Sequence, residues 1–223
     1  MLLEARDLTV VLKGDTGDVR VLDAISFSVE AGEIVDVVGP SGAGKTTFLR
    51  ALARLLPGAT GALFLDDTPA EKIGPGAWRA VVALLPQKPS IVDGSIADNL
   101  LLPWTLKVRA GRTRPSEAAL GAALTRVRLD IALDRDASRL SEGQRARVAL
   151  LRVVLTAPRV LLLDEPDAAL DDVSSDAVTQ VTREFARAGG AVVRVRHHRS
   201  DGLASRRLHL ESGRITTAEE VER

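Results

Sequence analysis

The chain has 223 residues, 45% hydrophobic and 27% charged, with 30 Lys and Arg against 30 Asp and Glu. That length holds one large domain, and the balanced charge excludes bulk electrostatic attraction to nucleic acid as the basis of function. There is no cysteine, which removes disulfides and cysteine zinc sites and fits a reducing compartment. No apolar run is long enough to cross a bilayer, and the early charges of Met1-Leu2-Leu3-Glu4-Ala5-Arg6 do not read as a secretory signal. The expected location is therefore cytoplasmic.

In chain order, apolar residues alternate toward Ile25, Phe27 and Val29. That is the period of a half-buried strand over 19–29, placed in an antiparallel sheet. Ala31-Gly32-Glu33 turns the chain, and Ile34 to Val38 reads as a short strand before a glycine-rich loop, 39–44. A helix follows with Phe48, Leu49, Leu52 and Leu56 on one face, stopped by Pro57-Gly58. A strand is expected over 81–85. Residues 88–140, punctuated by Pro89, Pro103 and Pro115, read as an inserted helical subdomain, with 109–114 basic and loop-like. Strands over 160–163 and 191–195 flank a helix carrying Val178, Val181 and Phe185 and ended by Gly189-Gly190. Residues 208–215 turn at Ser212-Gly213 as a closing hairpin. Short apolar strands alternating with helices predict an α/β fold. In it, a largely parallel sheet carries an N-terminal antiparallel β subdomain and the helical insertion. The expected division is one domain, 1–223, with a core of 1–87 and 141–223 around the helical 88–140.

Gly39-Pro40-Ser41-Gly42-Ala43-Gly44-Lys45-Thr46 fits the phosphate-loop pattern G-x-x-x-x-G-K-[ST], with Thr47 beside it. Glycines let backbone N–H groups converge on phosphate oxygens, and the next helix presents its positive end to them. Lys45 is the candidate for the β- and γ-phosphates of ATP and Thr46 for Mg²⁺. The strand 160–163 ends in Asp164-Glu165. Asp164 there suits the magnesium, and Glu165 suits the proton of a water attacking the γ-phosphate. Leu140-Ser141-Glu142-Gly143-Gln144 precedes a helix with Val148, Leu151 and Leu155 on its apolar face. By itself it reads as a capping box, Ser141 with Gln144.

The order of these three motifs resembles the ATP-binding cassette family, whose signature is LSGGQ. The resemblance covers essentially the whole chain. It implies an ATPase that closes as a dimer around ATP, either a homodimer or a pair with another cassette, and drives a separate polytopic membrane subunit. It implies that Ser141, Gly143 and Gln144 of one cassette face the ATP held by the other. It makes Gln87 the Q-loop glutamine near magnesium and water, Ala169-Leu170-Asp171 the D-loop, and His197 the switch histidine, with His198 as the alternative. The chain would then sit peripherally on the inner face of the cell membrane, with no nucleic acid as partner. Gln87-Lys88-Pro89-Ser90 and Asp98-Asn99-Leu100-Leu101-Leu102-Pro103-Trp104 are similar to the ATP-binding subunits of iron exporters. Pro103-Trp104 either docks on the membrane subunit or packs the helical part.

The chain departs from the family pattern at several points. It has no tyrosine, and Val11 or Leu12 stands where the family stacks an aromatic ring on adenine. Glu142 replaces the first signature glycine. Asp36 interrupts an apolar strand and needs a partner the sequence does not name. Arg194 and Arg196 flank Val195 where apolar and small hydroxyl residues are more familiar. Cassette ATPases of DNA repair and chromosome structure carry long coiled coils or zinc modules between the phosphate loop and the signature. Here fewer than a hundred residues separate Lys45 from Ser141. A translation-type protein would carry two cassettes, and the intact Glu165 argues against a nucleotide switch that does not hydrolyse.

Overall fold

The computed structural model of the chain describes residues 1–14, 17–168, 170–196 and 201–221. Strand β1 (Leu3–Gly14) pairs antiparallel with β2 (Gly17–Val29). Next come β3 (Ile34–Val38) and, across the glycine loop, helix α1 (Lys45–Leu52). Strands β4 (Ala59–Leu65) and β5 (Thr68–Pro69) complete a four-stranded antiparallel sheet in the order β2-β1-β4-β5. Helix α2 (Pro75–Val81) runs directly into β6 (Val82–Leu85), so Val81 closes a helix rather than opening the expected strand. Helices α3 (Ile96–Leu101), α4 (Glu117–Arg126) and α5 (Glu142–Val154) follow, then β7 (Val160–Asp164), α6 (Asp172–Arg187) and β8 (Ala191–Val195). A hairpin of β9 (Arg206–Glu211) and β10 (Arg214–Glu220) closes the second sheet, ordered β10-β9-β3-β8-β7-β6 and parallel except for β10. The α/β class and the antiparallel N-terminal sheet are as the sequence predicts.

Period-two alternation divides the parallel sheet into two faces. Val35, Val37, Val160, Leu162, Val193 and Val195 share a buried cluster with Phe48, Leu49 and Leu52 of α1. Ile34, Leu161, Leu163 and Val192 pack with Leu100, Leu120, Leu124, Val148 and Leu151 of the helices on the other side. Asp164 follows Leu162 in the alternation. Its side chain therefore faces α1, which brings a carboxylate to the phosphate loop.

Helix α1 is shorter than the sequence suggests. The Arg54 N–H donates to Ala51 O (2.9 Å) and the Leu55 N–H to Arg50 O (2.9 Å), with Arg54 at φ 54°. This is the paired-bond C-cap that usually takes glycine. The Arg54 guanidinium repays the left-handed backbone by donating to Ala70 O (2.5 Å) and Ile73 O (2.7 Å). Leu56 therefore lies beyond the helix. At α6 the same bond pair, Gly189 N–H to Ala186 O and Gly190 N–H to Phe185 O, falls on Gly189-Gly190 as expected.

Candidate ATP site

The parallel strands deliver their C-terminal ends to one edge, where the crevice of an open α/β sheet forms. Gly39 leaves β3 at φ 149°, and a Cβ there would lie 2.0 Å from Leu210 O of the hairpin. Gly44 caps α1 at φ 101°, with Leu22 Cδ2 2.9 Å from the place of a Cβ. Only glycine fits either position, so the loop's shape is enforced from both ends. Lys45 is buried, and its Nζ donates to Gly39 O (2.8 Å) and Pro40 O (2.9 Å). The ammonium thus lies back over the loop formed by Gly39, Pro40, Ser41, Gly42, Ala43 and Gly44.

Thr46 Oγ1 donates to Asp164 Oδ1 at 3.2 Å, joining α1 to the end of β7. Burial pushes the Asp164 carboxyl above its ordinary value and the neighbouring Glu165 charge acts the same way, while the Thr46 bond opposes both. A hydroxyl and a carboxylate side by side are hard oxygen donors of the kind Mg²⁺ takes. Gln87, just past β6, donates from Nε2 to Glu165 Oε2 at 2.7 Å. Glu165 itself has φ 50°, and its N–H donates to Val195 O at 3.2 Å. A non-glycine residue in that region costs about 1–3 kcal/mol and persists only where its surroundings impose it.

The signature and D-loop residues bond differently. Ser141 Oγ accepts from the Gln144 N–H (3.3 Å), and Gln144 Oε1 accepts from the Ser141 N–H (3.0 Å), the reciprocal cap of α5. Gly143 O accepts from Arg147 Nε at 3.1 Å. Glu142 is exposed in the first helical turn, while Arg145 donates to Leu140 O (2.9 Å). Asp171 caps α6 through the Ser174 N–H (2.8 Å), and bonding with Ser174 holds its carboxyl below the ordinary value. The structure therefore brings Lys45, Thr46, Asp164, Glu165 and Gln87 together. Among the described residues, the side-chain hydrogen bonds of Ser141, Gln144 and Asp171 stay at their own helix ends. His197, His198 and Ala169 lie outside the described residues.

Asp36 has its partner. Arg194 Nε donates to Asp36 Oδ1 (2.7 Å), and its Nη1 and Nη2 grip Asp201 at 2.8 and 3.0 Å. Burial works against the Arg194 charge, but its two carboxylates hold its pKa above the ordinary value. Burial also pushes Asp201 up, yet Arg194 and Arg196 bring it down to about 2. Arg196 Nη2 donates to Asp167 Oδ2 at 2.6 Å. Its Nη1 lies 2.5 Å from Asp201 Oδ2, an ion pair by distance whose angle is not that of a hydrogen bond. Sequence reasoning flagged Asp36, Arg194 and Arg196 but missed Asp167 and Asp201. The signal was there, since two arginines at the end of a buried strand demand nearby carboxylates.

Trp104 is buried and donates from Nε1 to Thr113 O at 3.0 Å, so of the two roles weighed for Pro103-Trp104 the indole fills the packing one. Beside it a groove of about 500 Å³ is lined by Leu55, Arg79, Pro103, Leu106, Val108 and Arg152. Leu55, Leu106 and Val108 are 45%, 55% and 45% exposed, an uncommon grouping of large apolar side chains.

With this geometry in view, the ABC transporter family profile matches residues 22–168. The chain belongs to the ABC transporter family. It is an ATP-binding subunit of that family, an ATPase coupled to transport. The hemin import ATP-binding protein HmuV of Nocardia farcinica is 39% identical over 220 residues, covering 96% of this chain and 75% of the relative. The "Probable iron export ATP-binding protein FetA" of Escherichia coli is 33% identical over 187 residues, 83% of this chain and 81% of the relative. Among solved structures, the dimeric post-hydrolysis state of the ATP-binding cassette MJ0796 bound to ADP and Pi superposes with a TM-score of 0.86 over 99% of both chains at 21% identity. At that identity the likeness carries the cassette fold.

Proposed function

We propose that this cassette hydrolyses ATP in a two-cassette sandwich beneath a separate polytopic membrane subunit, moving an iron-containing cargo. The observation that carries the reading is the convergence of three segments on one edge of the sheet. Thr46 and Asp164 meet across 118 residues of sequence, and Gln87 and Glu165 across 78.

In this reading Lys45 exchanges the carbonyls of Gly39 and Pro40 for the β- and γ-phosphate oxygens. The loop N–H groups from Gly39 to Thr47 cradle the rest of the triphosphate. Thr46 and Asp164, with Gln87 nearby, would hold Mg²⁺, which when bound would offset negative charge on the phosphates. Glu165 accepts a proton from the water that attacks the γ-phosphorus, its carboxylate steadied by the Gln87 amide. ADP leaves as phosphate forms. The helix end at Ser141, Gly143 and Gln144 of the second cassette grips the γ-phosphate, Asp171 lies at the contact between cassettes, and His197 senses the phosphate.

The membrane subunit fits the groove at Leu55, Leu106 and Val108, with residues 88–140 as the helical subdomain facing it. The described helices include none long and apolar enough to cross a membrane. We assign the cassette to the cytoplasmic side, peripheral on the inner face of the cell membrane, with no nucleic acid as partner. The iron reading is supported by the 87–90 and 98–104 segments and by relatives named for hemin import and iron export. Direction of transport is left to the membrane subunit, because those two names point opposite ways.

Size-exclusion chromatography of Glu165→Gln tests the sandwich. With Mg-ATP the variant is expected to run as a dimer, because the amide keeps the shape of the base but cannot take the proton. A Glu165→Gln protein that stays monomeric at high concentration and still hydrolyses ATP contradicts both the base and the sandwich.

A further inference from the structure

We propose that Arg196 and Asp167 are positioning residues for hydrolysis, their ion pair holding the left-handed turn that aims Glu165. The proposal rests on the reading of Glu165 as the base.

The turn begins where β7 ends. Glu165 O accepts from the Ala168 N–H at 3.3 Å, so Asp167 lies inside that turn, two residues beyond the base. Among the described residues, the end of β8 meets the turn at two points. Val195 O takes the Glu165 N–H, and the Arg196 guanidinium takes the Asp167 carboxylate at 2.6 Å. Arg196 is itself held, because its N–H donates to Val37 O of β3 at 3.3 Å and its Nη1 pairs with Asp201. Asp201 receives a two-pronged bond from Arg194, and Arg194 is fixed to Asp36 in the middle of β3. A chain of three carboxylates and two guanidiniums thus runs from inside the sheet to the turn carrying Glu165.

Stability alone is a poor account of this chain. The side chains of Asp36 and Arg194 are each 3% exposed, and charges that deeply buried lose their hydration. Apolar residues of similar size often stabilise as well or better, whereas charged hydrogen bonds fix distance and direction. What needs fixing here is a residue at φ 50° whose backbone, left to itself, relaxes toward the right-handed region. Such a relaxation turns the carboxylate away from the water, and misplacement by about 1 Å costs on the order of a hundredfold in rate. ATP binding is a separate matter. Lys45, Thr46 and Asp164 make their bonds without Arg196 or Asp167.

The test compares Arg196→Gln, Asp167→Asn, the double variant and Arg196→Lys in the full chain, by steady-state hydrolysis and by calorimetry with ATP. Each neutral single variant is expected to lower kcat roughly 10- to 100-fold while the ATP Kd stays within about twofold. The double variant should be no worse than the poorer single, the sign of one shared interaction. Arg196→Lys, which keeps the charge and loses the fork, should fall between. It also serves as the test if the neutral variants fail to fold. A kcat per folded protein within about threefold of the parent, or fully additive losses in the double variant, overturns the proposal. Glu165→Gln runs in parallel. If it still hydrolyses ATP the base assignment fails, whereas if it is dead and the pair variants run at the parent rate only the positioning role fails.

Discussion

The phosphate loop and the end of β8 both meet the Asp164-Glu165 corner, and they are built differently. The loop uses glycine backbone, one ammonium and one hydroxyl, all within eight consecutive residues. The β8 end uses five charged side chains drawn from Asp36, Asp167, Arg194, Arg196 and Asp201, joined across as many as 158 residues of sequence. In the proposed reading the loop receives a ligand that brings its own charge. The β8 network pairs its charges internally, which suits holding a geometry rather than receiving a substrate. The two regions should therefore fail in different ways when cut.

The largest effect is expected at the loop. Lys45→Ala should weaken ATP binding by more than about a hundredfold and abolish hydrolysis, with the circular dichroism spectrum unchanged, because the lysine contributes charge to phosphates and little to the core. Calorimetry and near-normal hydrolysis by the variant are the checks, the second outcome removing the phosphate-loop assignment. Arg194→Met should do the reverse, sparing the loop while destabilising the fold by about 3–5 kcal/mol, since Asp36 and Asp201 lose their cation in a buried place.

The second effect has a defined pH window. Asp201 is held at about 2 against an ordinary value of 3.8. A lowered carboxyl contributes stability that is present above the unfolded value and lost as pH falls through the folded one. The parent should therefore keep this contribution from neutral pH down to about 4 and lose it between about 4 and 2, read as the acid limb of its denaturation midpoint. In Arg194→Met, Asp201 keeps the burial that raises it and loses the main cation that lowers it, so the gap to the parent should begin to narrow above about pH 4. A gap that widens as the pH falls from neutral contradicts the Asp201–Arg194 pairing.

What could be read from sequence follows the same division. The buried strands β3, β7 and β8 were legible because each is a short, mostly apolar run, and the loop because its pattern is contiguous. The α6 stop was legible because Gly189 sits at its left-handed cap. The α1 stop was not, because Arg54 takes that position and is compensated by the carbonyls of Ala70 and Ile73, far along the chain. Strand β1 went unread because its alternation breaks at Asp7, which has φ 51°, and register slips between Ala5 and Leu8. At the site, Lys45, Thr46, Asp164 and Glu165 came from pattern, and Gln87 came from family resemblance. The partner of Asp36 was hidden because only parallel pairing of β3 with β8 sets residue 36 opposite Arg194.

Two smaller effects sharpen the contrast between backbone grip and side-chain charge. Glu142 is exposed in the first turn of α5, and Arg145 donates to the Leu140 carbonyl; in the proposed sandwich that helix end meets the γ-phosphate held by the other cassette. Glu142→Gly should tighten ATP-dependent dimerisation several-fold at low salt and less at high salt, read in a Glu165→Gln background by light scattering. Equal dimer affinities at low salt refute the repulsion. Smallest of all is base choice. Val11 and Leu12 are 37% and 43% exposed on β1 and offer apolar contact without an aromatic ring. ATP and GTP should bind with affinities within roughly tenfold of each other by competition calorimetry, and a strong ATP preference means another residue reads the base.

In the proposed mechanism Glu165, carried on its left-handed turn and bonded by Gln87, takes the proton from the attacking water. Hydrolysis by Glu165→Gln, set beside its ATP affinity at saturating Mg²⁺, tests this. A kcat at least about a hundredfold below the parent is expected, with an ATP Kd within about threefold. Hydrolysis within a few-fold of the parent, at equal ATP occupancy, contradicts the role of Glu165 as the base.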